Sequence, residues 1–203
     1  SVAFALLGAN VTVFDLSAVQ LERDREAAKH YGVDLTILQG DMRDLSQFGN
    51  DAFDVVWHAH SLNFIPDAGE VFRGVTRVLR VGGLYQFSYH NPFNHGINES
   101  DWTGDAYPLR QQYVDGKVEY DTPYWDVAGE DGKVKQVRGP VEFRHTLSTV
   151  INGLVTHGFV VLGMWEHLSN DPTADPGTWE HFKSIIPPYL IFWTRYQPDV
   201  FKH

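Results

Sequence analysis

The sequence predicts an α/β fold with a doubly wound, mostly parallel sheet, an antiparallel closing strand and a β-rich insertion. Over residues 1–92, short β-rich apolar runs alternate with amphipathic helical stretches at the spacing of βαβ units. Residues 93–140 are polar and aromatic, and they are too many for a structureless loop. Helix and strand patterns then resume. We therefore predict an α/β core at 1–92, an inserted flap at 93–140 and the remainder of the core at 141–203.

The first strand and helix of the core have clear boundaries. The run "NVTVFD" is β-rich and almost wholly apolar, as expected of a parallel strand covered on both faces. Ser17 and Gln20 have the spacing of a capping box, which predicts that a helix begins there. Gly32 follows the last helical residues and predicts the end of that helix.

Two further strands are predicted at residues 35–39 and 52–60. They are followed by "DAGEVFRGVTRVLRVGG", whose apolar residues recur with the period of an amphipathic helix. We expect this helix to end at Gly82 and Gly83, and a fourth strand to follow in "LYQFSY".

The insertion is predicted to be a β-hairpin or a small antiparallel flap, because "EDGK" is a turn signal between two β-like runs. Its aromatic residues either line a pocket or, as we expect for most of them, form a core of the flap itself. They are Trp102, Tyr107, Tyr113, Tyr120, Tyr124 and Trp125. Beyond the flap, Thr146 is expected to cap a helix that Gly158 ends, and "FVVLGMWE" and "PYLIFWTRY" are the last strands.

Composition excludes several classes of function. The formal net charge of −10 would repel a phosphate backbone, so we expect no nucleic-acid partner. The chain has no cysteine, which excludes disulfides and thiolate metal sites and fits a reducing compartment. No apolar run approaches the roughly 18–20 residues that cross a bilayer, so we expect no membrane association and a cytoplasmic location.

Candidate binding residues follow the strands, because ligands of open parallel sheets bind beyond the carboxyl ends of the strands. Asp15 ends the first predicted strand, where a carboxylate can accept hydrogen bonds from both hydroxyls of a ribose. Asp41 follows the next strand and could accept an adenine amine, with Met42 against the ring. Each acid alone is equally compatible with an exposed cap or an ordinary turn. Together they are a stronger indication of a nucleoside site.

The stretches "VTVFDLSAVQLERDREAAKHYGVDLTILQGDMRDL", "FDVVWHAHSLNFIPD" and "VFRGVTRVLRVGGLYQFS" resemble class I S-adenosylmethionine-dependent methyltransferases of the bacterial small-molecule type. The resemblance covers residues 1–92 in order. It resumes at 142–196, where "FRHTLSTVINGLVTHGFVVLGMWEH" and "PPYLIFWTRY" are similar to the last helix and closing hairpin of that family. The resemblance implies a Rossmann-like fold, S-adenosyl-L-methionine as cofactor and methyl transfer to a small-molecule acceptor.

The resemblance also implies roles for individual residues. Asp15, with Leu16 and Gln20 beside it, would bind the ribose. Asp41 and Met42 would contact the adenine. The residues that follow the third predicted strand would lie beside the sulfonium end of the cofactor, and those named for this role are His58 and Ser61.

Histidines after the strand ends are candidates for the base that removes a proton from a hydroxyl acceptor. We name His60 and His90 as the catalytic candidates, and His95 follows the same strand as His90. A structural role remains the alternative for each of them. The sequence contains no H-E-x-x-H motif and no third ligand at a telling spacing, so we expect no metal site.

One part of the family pattern is absent from this sequence, namely the first strand with its glycine-rich loop. That strand is central in the family order 3-2-1-4-5-7-6, so we expect the chain to be part of a longer protein and a truncated form to bind cofactor poorly. Two other functions stay open: a non-catalytic binding or assembly module of the same fold, and an NAD-dependent oxidoreductase, whose ribose Asp15 would also suit. A homodimer is a further candidate assembly.

Overall fold

A computed structural model describes residues 1–120, 124–128, 132–171 and 173–201 of the 203-residue chain. The chain forms two compact units, Ser1–Asn50 and Asp51–His203, which are described in turn. Among the described residues, no helix has both the length and the apolar character needed to cross a membrane.

The first unit contains two helices and a two-stranded parallel sheet. Its elements in order are α1 (Val2–Leu6), β1 (Thr12–Asp15), α2 (Ala18–Tyr31) and β2 (Thr36–Gln39). The predicted boundaries of α2 are confirmed. Ser17 accepts a hydrogen bond from the backbone N–H of Gln20, and Gly32 adopts the left-handed conformation that ends the helix. In the parallel register Asp15 lies opposite Gln39, so both strands end at the same edge.

The second unit is built on a four-stranded sheet in the order β3-β4-β10-β9. β3 and β4 are parallel, whereas β10 is antiparallel to both of its neighbours, which confirms the antiparallel closing strand. This order is the 4-5-7-6 part of the expected family order. The main elements are β3 (Phe53–His58), α3 (Ala68–Val78), β4 (Leu79–His90), α4 (Leu147–Thr156), β9 (Phe159–Glu166), α5 (Trp179–Ile185) and β10 (Tyr189–Tyr196).

The prediction that the helix before β4 ends at Gly82 and Gly83 is wrong. Helix α3 ends at Val78, and β4 begins at once with Leu79, which is completely buried. The pairing of β3 with β4 moves from Phe53 opposite Leu79 to Val55 opposite Leu84, so the intervening residues of β4 form an irregularity. Gly82 lies there with φ of +84°, a conformation that favours glycine. The two glycines therefore serve a bend within the strand.

Aromatic rings form the centre of the second unit. The rings of Phe87 on β4 and Phe192 on β10 stack with centroids 5.2 Å apart, and Phe72 of α3 packs against Phe87. All three side chains are completely buried. The apolar face that identified α3 in the sequence is thus the face that covers this sheet, and the burial of its aromatic residues accounts for much of the stability of the unit.

The insertion contains an antiparallel hairpin, as predicted, formed by β6 (Tyr124–Ala128) and β7 (Val134–Arg138). A second antiparallel pair joins β5 (Gly116–Lys117) of the insertion to β8 (Phe143–Arg144), which lies beyond its predicted end. The first two residues of the predicted "EDGK" turn lie outside the described residues.

The aromatic residues of the insertion do not form the separate core that was expected for most of them. Tyr124 and Trp125 are about half exposed, at 52% and 46%. Tyr107 is buried, and with Trp102 it packs against Phe182 of α5. The insertion is therefore joined to the helix before the closing strand, a contact between distant parts of the chain that no local pattern shows.

Candidate functional site

Asp15 is held in place by the turn that follows β1. Its Oδ1 accepts a hydrogen bond of 2.7 Å from the backbone N–H of Ser17, the residue that also caps α2. Among the described residues, no group donates to Oδ2 of Asp15. The carboxylate is thus fixed at the strand end with acceptor capacity remaining, which is what recognition of a ribose diol requires.

A glycine brings the ends of β1 and β2 close together. The N–H of Gly40 donates to the carbonyl oxygen of Asp15 over 3.1 Å. A Cβ at position 40 would lie 2.4 Å from the ring of Phe14, so no side chain fits there without displacing that ring. Asp15 and Asp41 therefore leave the same edge of one parallel pair, as the sequence predicted for its two candidate acids.

Asp41 already has a cationic partner. Both of its carboxylate oxygens accept from Nε of Arg43 at 3.0 Å, and the hydrogen bonds from Arg43 hold the pKa of the carboxyl below its usual value. Met42, between the two charged residues, is partly buried. A ligand amine that binds the Asp41 carboxylate must share it with Arg43 or displace the guanidinium.

Leu16 and Gln20 lie beside Asp15, as the resemblance implied. Leu16 is 68% exposed, and its carbonyl oxygen accepts from Nε2 of Gln39 on β2. Gln20 lies in the first turn of α2, with an exposed side chain. The first unit therefore brings together five of the predicted cofactor-binding residues. They are Asp15, Leu16, Gln20, Asp41 and Met42.

His58 ends β3 in the second unit and is hydrogen-bonded through Nδ1 to the hydroxyl of Tyr85, 3.1 Å away. Burial lowers the pKa of this imidazole to about 4, because the interior disfavours its charged form. His58 is therefore neutral at physiological pH. A neutral ring is the form that would not repel a sulfonium cation.

His60 adopts a positive φ of +53°, a conformation that is uncommon for residues other than glycine. Its backbone N–H donates to Oγ of Ser88 on β4, and its ring packs against Tyr189 with centroids 4.1 Å apart. Ser61 comes next and begins the short 3₁₀ turn Leu62–Phe64. Strained residues fixed by their surroundings are frequent at functional sites.

The 3₁₀ turn that follows Ser61 is held in place by hydrogen bonds from His145, which follows β8. Its Nε2 donates to the carbonyl oxygens of Leu62 and Ile65, at 3.2 and 3.0 Å.

Several buried polar atoms close to the ends of β3 and β4 have no hydrogen-bond partner among the described residues. They are His60 Nδ1, both amide atoms of Asn63, Tyr89 Oη, His90 Nε2 and Asn94 Oδ1. Buried polar atoms normally have partners, so this concentration indicates a place for water or a polar ligand.

His90, the last residue of β4, stacks on His95 with ring centroids 4.3 Å apart. Nε2 of His95 donates to Oε2 of Glu142 over 2.8 Å, and the hydroxyl of Tyr120 donates to the same oxygen. Glu142 was not among the site residues predicted from the sequence, and Tyr120 was named only among the aromatic residues that either line a pocket or form a core of the insertion. Glu142 lies 47 residues from His95, and no motif relates the two positions.

A model of the methyltransferase domain family matches residues 1–87, the part of the chain that contains both strand-end acids. The chain is also 34% identical over 168 residues to the uncharacterized methyltransferase YbaJ of Bacillus subtilis, an alignment that covers 80% of this chain and 62% of that protein. Together these matches support assignment of the chain to the class I S-adenosylmethionine-dependent methyltransferases. S-Adenosylmethionine is the cofactor of this family of enzymes.

Two further comparisons concern the sequence and the fold, respectively. A sarcosine/dimethylglycine N-methyltransferase of Halorhodospira halochloris is 35% identical over 83 residues, which are 40% of this chain and 29% of that enzyme. The crystal structure of an S-adenosylmethionine-dependent methyltransferase from Mesorhizobium loti superposes with a TM-score of 0.60 at 22% identity, over 92% of this chain and 80% of that one. It confirms the Rossmann-like fold. The chain spans about 62% of the length of the Bacillus protein.

Proposed function

We propose that this methyltransferase transfers a methyl group from S-adenosylmethionine to a small-molecule acceptor. The observation that carries the proposal is the arrangement of Asp15 and Asp41 at the shared edge of β1 and β2, within the part of the chain that matches the methyltransferase domain. A pair of acids at adjacent strand ends suits a nucleoside, whose ribose and adenine amine both donate hydrogen bonds.

The residues of the first unit fit the adenosine part of the cofactor. Asp15 would accept from the ribose hydroxyls through the carboxylate oxygen that the Ser17 turn leaves available. Leu16 offers an exposed apolar surface to the nucleoside. When bound, S-adenosylmethionine supplies an electrophilic methyl group on a sulfonium. The chain's own contribution is to hold the acceptor in line with that methyl group, and such positioning can supply much of the rate enhancement.

His60 is the proposed base for a hydroxyl acceptor. Its conformation is fixed by Ser88 and Tyr189, and its Nδ1 is a buried atom without a partner among the described residues. Burial lowers the pKa of His60, while the charge of Glu142 opposes this effect. The neutral imidazole can therefore accept a proton. His90 faces the His95 ring and is a less suitable base.

The small size of the acceptor is supported by the sarcosine/dimethylglycine enzyme among the relatives. The net charge of −10 argues against nucleic acid as the acceptor. A cytoplasmic location and a homodimer stay predictions, the first resting on the absence of cysteine.

Calorimetric titration of the full-length protein with S-adenosylhomocysteine tests the proposal. We expect saturable binding at one site per chain and no binding of NADH. Absence of S-adenosylhomocysteine binding would contradict the proposed function, and binding of NADH instead would favour an oxidoreductase. Binding without methyl transfer to any member of a panel of small amines, carboxylates, phenols and alcohols would favour the non-catalytic module.

A further inference from the structure

We propose that His90, His95 and Glu142, together called the imidazole–carboxylate cluster, bind a divalent transition-metal ion of the Zn²⁺ class. The proposal concerns the second unit alone and does not depend on cofactor binding. Imidazole nitrogens and a carboxylate oxygen are the ligands that such ions prefer among nitrogen and oxygen donors.

The distances within the cluster suit a single ion. One potential ligand atom from each of the three residues lies within 4.8 Å of the other two. Two ligand atoms at about 2.1 Å from a common ion are separated by roughly 3 to 4 Å, depending on the coordination geometry. To surround an ion, the His90 and His95 rings would have to turn out of their parallel stack, because the lone pair of an imidazole nitrogen lies in the plane of its ring. Nε2 of His95 and Oε2 of Glu142, 2.8 Å apart, now share a proton that a metal would replace.

The hydrogen bonds of Glu142 suit a ligating carboxylate. Its Oε2 accepts from Nε2 of His95 and from the hydroxyl of Tyr120. Ions of this class bind carboxylate oxygens and neutral imidazole nitrogens, which are the groups that the cluster offers.

Polar atoms around the cluster are incompletely satisfied without an ion. Nε2 of His90 is buried and has no hydrogen-bond partner among the described residues. The side chains of His95 and Glu142 are 1% and 7% exposed, so bulk water hardly reaches them. An unpaired buried nitrogen destabilises the folded state, and coordination would satisfy it. The hydroxyl of Tyr120, which donates to Glu142, would act as the outer hydrogen bond that orients a ligating carboxylate.

One charge opposes a cation at this place, the guanidinium of Arg144. It is directed to backbone carbonyl oxygens, with Nη2 donating to His95 and Nη1 donating to Gln112, each at 2.5 Å. These two nitrogens are directed to the backbone, Nε of Arg144 is buried without a partner among the described residues, and Oε2 of Glu142 is directed to Nε2 of His95. Three protein ligands would leave the fourth position of a tetrahedral ion to water, as in metal sites that keep an open position.

The test uses tag-free, full-length protein that has been stripped with a chelator and dialysed. It is titrated with Co²⁺, whose visible absorption reports the ligands, and with Zn²⁺ against a chromophoric chelator. We expect one ion per chain and a Co²⁺ spectrum with nitrogen and oxygen ligands. Glu142→Gln, which preserves the shape of the side chain, should weaken Zn²⁺ binding by at least about 100-fold. Tyr120→Phe, which removes only the outer hydrogen bond, should weaken it by about 10-fold or more.

Control variants are Glu180→Gln and His30→Ala, which alter a carboxylate and an imidazole outside the cluster. They should bind Zn²⁺ as the unaltered chain does. Failure of the unaltered chain to bind one equivalent of either metal would overturn the proposal. Binding that is equally strong in Glu142→Gln would overturn it as well, because the ion would then lie elsewhere. Neither result bears on S-adenosylhomocysteine binding, which tests the proposed function separately.

Discussion

Single residues at the ends of strands carry the chemistry proposed for this protein. Asp15 shows how local structure prepares such a residue, because the Ser17 turn that begins α2 also fixes the Asp15 carboxylate. Ser17 therefore caps the helix through its side chain and orients the group that would bind the ribose through its backbone N–H. Asp41 differs, since Arg43 already neutralises it. We accordingly assign more of the cofactor affinity to Asp15.

Asp15→Asn should weaken S-adenosylhomocysteine binding by about 10- to 100-fold, because charge-assisted hydrogen bonds contribute about 1.5–3 kcal/mol. Calorimetric titration measures the change. Asp34→Asn, at an exposed acid in the same unit, is the matched control and should bind normally. Equal affinity of the Asp15 variant and the unaltered chain would remove Asp15 from the site.

His60→Asn should lower the rate of methyl transfer to a hydroxyl acceptor by about 10²- to 10⁴-fold, the range typical of general-base catalysis. Asparagine tolerates a positive φ, so the strand end should keep its shape. S-Adenosylhomocysteine affinity should change little, which separates loss of the base from loss of the fold. A rate that remains within a few-fold of normal would show that His60 is not the base.

At the scale of elements, the beginning of α4 depends on a residue from the insertion. Oδ1 of Asp115 accepts from the backbone N–H of Thr146, and Oδ2 accepts from the hydroxyl of Thr149, both at 2.6 Å. Thr146 itself caps the helix, as predicted. Burial alone would raise the pKa of Asp115, but these hydrogen bonds outweigh it and lower the pKa. The carboxylate also complements the positive end of the helix dipole.

Asp115→Asn should reduce the free energy of unfolding by about 1 kcal/mol near neutral pH, since Asp115 is exposed and water weakens its contribution. The folded-state pKa is lowered, so this stabilisation is fully present above the unfolded pKa of about 3.9 and disappears as the pH falls through the folded value. Urea unfolding at pH 7 and below pH 4 measures the difference between the variant and the unaltered chain.

The exposed acid Asp175 provides the control, since Asp175→Asn should change stability little at either pH. A difference between the Asp115 variant and the unaltered chain that grows on acidification would contradict the assigned direction of the pKa shift.

At the scale of the whole molecule, cofactor binding should increase the free energy of unfolding. A ligand present at 100 times its dissociation constant stabilises a folded protein by about 2.7 kcal/mol. S-Adenosylhomocysteine should therefore raise the melting temperature of the full-length protein in a concentration-dependent manner, whereas NADH should not. Differential scanning fluorimetry measures this. The same increase in Asp15→Asn at equal concentration would argue that the ligand binds elsewhere.

Much of the fold could be predicted because its signals are local. The caps of α2 and α4 and the bounds of β9 follow from short patterns that the structure retains. The end of α3 could not be predicted, because burial of Leu79 against the sheet competes with the helical pattern, and a long-range pairing decides the outcome. The sequence pattern indicates a helix end at Gly82, but in the structure the positive φ of this glycine allows a bend within β4.

The sequence by itself determined the main alternation of helices and strands and the candidate acids Asp15 and Asp41, since periodicity and caps act between residues close in the chain. It did not indicate helix α5 or the short pair β5 and β8. Only the tertiary structure decided what lies beside His90 and His95. Glu142 and Tyr120 reach them from residues far along the chain. A hydrogen bond depends on distance in space, and sequence separation carries no information about it until the chain has folded.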